Sequence, residues 1–233
     1  MLNSNTEVWI EDLSVTEAEY WYYWKVLDDK ERNKALRFMH KIHSDRYVVS
    51  HGKLRVILAS YIDIAPENIR FAEEDFGKPY ISVDGKAPEV KFNLSHSGRK
   101  MIVAVGLHDH IGVDIEEWND RVDCDLVVNS CFAETERSFW NGLQGSGKDE
   151  FFYRLWTRKE SFVKAVGVGI RLDVSRVVSS PVGAARFLSV PDEYGSAEDW
   201  ALVDLDFGYG ISATLTVSAK CYGRIELRQL ELK

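Results

Sequence analysis

At 233 residues and 45% hydrophobic, the chain is long enough to bury a substantial core, as one domain or as two small ones in close contact. Its 29 basic and 37 acidic residues give a net charge of −8, which opposes nonspecific attraction to DNA, RNA or anionic membranes and leaves any anion site to be built locally. The three cysteines show no C-x-x-C spacing, no segment reads as a leader, and no run approaches the roughly 20 apolar residues of a membrane span; a soluble, cytoplasmic chain without disulfides or zinc is expected.

VWI near the start reads as a strand, and Ser14-x-x-Glu17 as a capping box opening a helix through EAEYWYYWKVL. The aromatic run Tyr20 to Trp24 is either core packing or a partner surface. In the basic stretch that follows, Lys34, Arg37, Lys41 and Arg46, and Arg55 beyond it, read first as solvated helix faces. Ser44 is a candidate cap for a helix whose Tyr47, Val48, Leu54, Ile57, Leu58 and Tyr61 follow the spacing of a buried face, and Pro66 breaks it.

The pattern then shortens to strands at IRFAEE, PYISV, KFNLSHS, MIVAV and HIGVDIEE, with FGKP, VDGKAP and HSGR as turns. Helices return at ETERSFW and DEFFYRLWTRKESFVKAV, the latter closed by Gly167, and ARFLSV, DWALVDL, YGISATLTVSA and IELRQLEL end the chain as strands. The order strand, helices, strands thus occurs twice, giving an α+β fold of two similar halves, 1–110 and 111–233, that share an interface. GLQGSGK, Gly142 to Lys148, matches seven positions of a phosphate-binding loop, but Asp149 stands where that loop needs a hydroxyl and the preceding segment is helical, so a flexible connection is expected rather than a nucleotide hydrolase.

In HIGVDIEE, Ile111, Val113 and Ile115 alternate with Gly112, Asp114 and Glu116, so both carboxylates project from one face, roughly 7 Å apart. This is either the wet outer face of a half-buried strand or two ligands for one ion. In LWTRKESFVKAVGVGI, Trp156, Glu160 and Lys164 form one helical column flanked by Arg158 and Lys159. If Glu160 meets Asp114 and Glu116, the all-oxygen cluster suits magnesium and Lys164 lies beside it for a phosphate. Without a cation the carboxylates would repel and take up protons.

FNLSHSG runs from a strand into a tight turn where backbone N–H groups, Ser95 and His96 can donate to a phosphate. Gly77-Lys78-Pro79 is an ordinary turn by itself, and His108 with His110 reads as a hydrated loop before a metal motif.

Taken in order, ALRF, DRY…LR, FGKPYI, FNLSHSGR, GVDIE and WTRKESFVKAVGVG resemble the Sfp-type 4′-phosphopantetheinyl transferases from about Lys30 to Ile170. The resemblance implies two pseudosymmetric lobes, each a small, mainly antiparallel sheet with packed helices, and coenzyme A in the cleft between them. It also implies transfer of the phosphopantetheine arm to a serine of an apo acyl or peptidyl carrier protein, with release of 3′,5′-ADP. Asp114, Glu116 and Glu160 would hold magnesium, or manganese in its place; the catalytic set would be Glu160, Lys164 and Asp114. Glu160 would help deprotonate the serine, directly or through water, and Lys164 would neutralise the pyrophosphate. Lys78, Pro79, Ser95 and His96 would line the nucleotide end, with His96 and the first-lobe basic residues Lys34 and Arg46 reaching the 3′-phosphate. Some relatives carry a lysine where this chain has Glu31, which is expected to turn outward.

The enzyme is expected to act as a monomer, without nucleic acid or membrane. Carrier proteins of this kind are generally acidic, so docking needs a local basic or apolar patch; the aromatic run and, preferred, the segment Val122 to Phe139 are candidates. The alternative is a non-catalytic coenzyme A or carrier-binding module of the same fold, whose signature would be loss of a carboxylate or of Lys164; all are present.

Overall fold

The structure, a computed structural model, describes residues 5–230 apart from 84, 86, 87, 146 and 222. Parts of the expected VDGKAP turn and of the Gly142–Lys148 connection, and Glu231 and Leu232 of the closing strand, lie outside the described residues.

The first lobe contains β1 (Thr6–Asp12), helices α1 (Glu17–Val26), α2 (Asp29–Leu36) and α3 (Lys41–Ile62), the hairpin β2 (Phe71–Glu73) and β3 (Pro79–Ile81), then β4 (Lys91–Ser97) and β5 (Lys100–Gly106). The second repeats that order: β6 (Ile111–Glu117), α4 (Cys124–Cys131), α5 (Glu134–Gly142), α6 (Gly147–Val166), the hairpin β7 (Val178–Ser179) and β8 (Phe187–Ser189), then β9 (Trp200–Leu205) and β10 (Ile211–Ser218). Strands run antiparallel in the order β1-β5-β4 in one sheet and β6-β10-β9 in the other, so the two halves share one topology. The last strand, β11 (Ile225–Arg228), returns to the first sheet and pairs parallel with β1, Thr6 opposite Ile225.

One face of each sheet explains the interface. Val8, Ile102 and Ala104 of the first sheet share an apolar core with Ile111, Val113, Ile115 and Leu215 of the second. On its far side the first sheet packs Phe92, Met101 and Val103 against Val48, Leu54, Ile57 and Leu58 of α3. Helix α6 is surrounded: Phe151, Phe152 and Leu155 pack with Phe132 and Trp140 of α5 and its approach, while Phe162 packs with Phe187 and Trp200. Among the described residues no helix is long and apolar enough to cross a membrane.

Several local expectations change. The capping box of α1 is Thr16 with Glu19, two residues beyond Ser14, whose own N–H is held by Asp12. Helix α3 starts at Lys41, so Ser44 lies inside it and donates back to the Ala35 carbonyl. It ends at Ile62, four residues short of Pro66, with Asp63 in the left-handed region at φ 52°. Gly167, at φ 77°, closes α6 as expected, its N–H on the Val163 carbonyl. The aromatic run divides, Tyr23 being buried while Trp21 and Tyr22 are exposed. His108 is not hydrated: it is buried, with Nε2 2.5 Å from Thr6 Oγ1.

The largest correction concerns Arg55 and Glu31. Arg55 is fully buried rather than solvated, and Glu31 turns inward to it, Oε2 2.7 Å from Nε. Asp28 and the carbonyls of Pro66 and Ile69 take three more of the guanidinium donors, so the pair is embedded in hydrogen bonds as a buried charge requires. Glu31 and Asp28 are also the capping box of α2, and the network fixes that helix to α3.

Candidate active site in the interlobe cleft

The alternation in β6 places Ile111, Val113 and Ile115 in the core between the sheets and turns Gly112, Asp114 and Glu116 toward α6. That face is covered by the helix, not open to water. The close approach depends on Gly112, where a Cβ would lie 2.0 Å from the Ser161 carbonyl oxygen and 2.3 Å from the Ala165 nitrogen. Hydroxyl pairs seat the helix beside it, Thr157 with Thr214 at 3.0 Å and Ser161 with Thr216 at 2.7 Å.

The first lobe reaches this face through β4. Phe92 and Leu94 point into its own core, so Asn93, Ser95 and Ser97 share the opposite face. Asn93 Oδ1 accepts from Val113 N at 2.9 Å and Ser95 Oγ from Ile115 N at 3.4 Å. Ser95 donates to Asp114 Oδ1 at 2.8 Å and Ser97 to Glu116 Oε2 at 2.7 Å. From α6, Lys164 Nζ reaches Asp114 Oδ1 at 2.6 Å and Ser95 Oγ at 2.8 Å. Asn93 and Ser97 were legible only in the period-two recurrence of small polar residues around Ser95, and sequence reasoning passed over them.

The electrostatics are those of crowded carboxylates. Burial pushes Glu116 up to about 7, with Asp114 and Glu160 adding to the shift and Ser97 and Lys164 opposing it. Glu160 is raised by burial and then by Asp114. Asp114 is buried, and its Oδ2 has no hydrogen-bond partner. Among the described residues no three His, Cys, Asp or Glu side chains are gathered as a closed metal-ligand set, and Lys164 sits on one of the Asp114 oxygens. The donor set nonetheless fits a hard divalent cation: the ligands are oxygens only, one buried oxygen is unsatisfied, and a positive charge would offset the burial, and the lesser repulsion, that raise the other two.

Beside these groups a cleft of ≈490 Å³ opens between the lobes. Its walls are Phe76, Gly77, Lys78, Pro79, Asn93 and Leu94 from the first lobe and Trp156, Glu160, Val163, Lys164 and the turn after α6 from the second. Lys78 crosses the cleft, donating to the carbonyls of Ile111 at 2.9 Å and Ala165 at 3.0 Å, and burial holds its ammonium down at about 8. The structure therefore brings Glu160, Lys164, Lys78 and Pro79 to one cavity, with Asp114, Glu116 and Ser95 behind it.

Lys34, Arg46 and His96 stand outside that lining. Lys34 is exposed with its ammonium 5.0 Å from the Tyr47 ring centre. The His96 residue is solvent-exposed at the surface, and its ring is held below the ordinary value by partial desolvation and then by the positive charges of Lys164 and Arg46. In the turn after it Gly98 adopts φ 54° and the Arg99 N–H is spent on Glu117 Oε1 at 2.9 Å, which clasps the hairpin to β6 and takes that one N–H from any anion.

Comparison with known proteins identifies the family of the chain. Residues 110–203 match the 4′-phosphopantetheinyl transferase superfamily, and residues 12–108 match the family described as 4′-phosphopantetheinyl transferase, N-terminal. The 4′-phosphopantetheinyl transferase HetI of Nostoc sp. is 28% identical over 206 residues, covering 88% of this chain and 84% of its own. A 4′-phosphopantetheinyl transferase of Bacillus subtilis is 34% identical over 144 residues, 61% of each chain. The transferase Sfp of Bacillus subtilis strain 168 is 31% identical over 164 residues, 69% of each chain. With its two-lobed fold and the carboxylate-lysine site between the lobes, the chain belongs to the Sfp-type 4′-phosphopantetheinyl transferases, a family of enzymes.

Proposed function

We propose that the protein moves the 4′-phosphopantetheine arm of coenzyme A onto a serine hydroxyl of an apo acyl or peptidyl carrier protein. The serine oxygen bonds to the β-phosphorus of coenzyme A, the bond from that phosphorus to the bridging oxygen breaks, and 3′,5′-ADP leaves. The observation that carries this reading is the placement of Glu160 and Lys164, one turn apart on α6, in the cleft wall with Asp114 directly behind them.

Each residue has a role in that reaction. Lys164, fixed by Asp114 and Ser95, is a cation preorganised for the charge that develops on the departing oxygen, where such charge is worth most because the site is partly withdrawn from water. Glu160, in the cleft wall one turn from Lys164, would take the serine proton, directly or through water. Asp114, Glu116 and Glu160 would hold magnesium, or manganese, which would supply Lewis-acid stabilisation of the pyrophosphate. Lys78 and Pro79 form the cleft wall for the nucleotide end, Lys34 and Arg46 supply the positive field for the 3′-phosphate, and His96, kept neutral by its surroundings, would reach it as a ring N–H donor.

The test is a mass-spectrometric assay with coenzyme A, magnesium and a panel of apo carriers from fatty acid, polyketide and nonribosomal peptide assembly. At least one carrier should gain the phosphopantetheine mass, and Glu160→Gln should stop it. A panel left unmodified by the intact protein would overturn the assignment.

A further inference from the structure

Two edge strands face each other across the lobe boundary. β4 ends the order β11-β1-β5-β4 in the first sheet and β6 begins the order β6-β10-β9 in the second, and among the described residues no backbone ladder pairs them. They are joined instead by side chains from one face of β4. Asn93 Oδ1 accepts from Val113 N, Ser95 donates to Asp114 and accepts from Ile115 N, and Ser97 donates to Glu116. The period of two on β4 thus meets the same period on β6, and the row ends on the two acids.

Each of those acids has one oxygen held by a hydroxyl of the other lobe, Asp114 Oδ1 by Ser95 at 2.8 Å and Glu116 Oε2 by Ser97 at 2.7 Å. The second oxygen is left for an ion, and Asp114 Oδ2 is buried without a hydrogen-bond partner. The two acids differ in their other restraints. Asp114 is also gripped by Lys164, whereas among the described residues Ser97 is the one side chain bonded to the Glu116 carboxylate. A glutamate has three side-chain torsions, and ordering them when a cation binds costs free energy that a hydroxyl can offset beforehand. Ser97 is half-buried and does not line the cleft, so it reaches the chemistry only through Glu116.

We propose that Ser97 is a positioning residue whose hydroxyl, from across the lobe boundary, orients the Glu116 carboxylate to share a divalent cation with Asp114. This deepens the transferase reading and rests on it for the ion. It also makes the ion's site a joint product of the lobes: the acids come from the second and the hydroxyl that aims one of them comes from the first.

The experiment titrates manganese(II) into the protein with coenzyme A present and no carrier, following the free ion by electron paramagnetic resonance. It compares the intact protein, Ser97→Ala, Ser97→Thr, Glu116→Gln and the double variant of Ser97→Ala with Glu116→Gln, and records for each the urea midpoint and the coenzyme A affinity in EDTA. Ser97→Ala should weaken manganese binding about tenfold, Ser97→Thr should stay within about threefold of the intact protein, and the coenzyme A Kd without metal should hold within about twofold. In the Glu116→Gln background the alanine should cost nothing more, because the hydroxyl acts through that carboxylate. If Ser97→Ala does not fold, Ser97→Cys, of similar shape but a weak donor, gives the same comparison. Unchanged manganese affinity would overturn the proposal, and so would a loss that adds in full to that of Glu116→Gln, which would reduce Ser97 to a fastener between the lobes. Either result, with the intact protein still adding the phosphopantetheine mass to a carrier, leaves the transferase reading standing. An intact protein that neither transfers nor binds the ion removes both.

Discussion

Lys164 Nζ lies 2.6 Å from Asp114 Oδ1, joining the last turn of α6 to the middle of β6, and the first lobe's Ser95 bonds to both. An ammonium held this way acts on charge that appears during reaction more than on the bound ground state. Lys164→Ala should therefore lower kcat by about 10²-fold, with a smaller loss of coenzyme A affinity. Steady-state kinetics beside calorimetry separates the two; equal losses would make Lys164 a simple binding group.

Gly112 is the contact that lets α6 approach β6. Alanine there would place Cβ 2.0 Å from the Ser161 carbonyl oxygen, a backbone atom that cannot swing aside. Overpacking of this kind costs about 1–3 kcal/mol and the helix must shift to relieve it. Gly112→Ala should lower the urea midpoint and, because Glu160 and Lys164 ride on α6, depress transfer beyond what the folded fraction explains.

Lys159 and Glu136 form a fully buried pair, 2.8 Å apart with both side chains 0% exposed. Lys159 also donates to the carbonyls of Val174 and Val177, and Glu136 accepts from Ser179 N at 3.0 Å, so the pair ties α5 and the segment after α6 to the back of the helix. Glu136→Gln leaves an uncompensated buried ammonium and should cost about 3–5 kcal/mol in chemical denaturation. Replacing both residues by methionine should recover much of that loss; a pair that could be broken singly at no cost would contradict this account.

The crowded carboxylates give a pH signature. Without metal, Glu116 sits at about 7 in the fold against an ordinary 4.5, and Glu160 moves in the same direction. Below the lower value both states are protonated and nothing is lost; as pH rises from there toward the higher value the unfolded chain ionises while the fold must keep its proton, so stability falls across that window and then levels. Magnesium would bind the ionised carboxylates in competition with protons, so its stabilising effect should grow over the same interval. Thermal melts from about pH 4.5 to 8, with and without magnesium, should show this for the intact protein and weaken for Glu116→Gln. A magnesium shift independent of pH would argue against these ligands.

The sequence was most informative where one periodicity dominates. The alternation of KFNLSHS and HIGVDIEE located β4 and β6 and put Asp114 and Glu116 on one face, and the column Trp156, Glu160, Lys164 located their helical partners. Short helices escaped: α2 carries too few apolar residues to outline a buried face, and α4, though it holds Leu126, Val127 and Val128, spans only eight residues, too few for the helical period to declare itself. Two overlapping capping patterns at Ser14 and Thr16 could not be separated by spacing, since the choice depends on Asp12 claiming the Ser14 N–H. Arg55 looked like one more surface charge because its partners Glu31 and Asp28 are 24 and 27 residues away, a distance no local pattern spans.

The pairing of β11 with β1 has a consequence for how the chain is made. Thr6 meets Ile225, so the four-stranded sheet that begins with the earliest described strand waits for the latest one. During synthesis the nascent first lobe leaves the ribosome with an open β1 edge, able to pair wrongly until residues 225–228 emerge and close it.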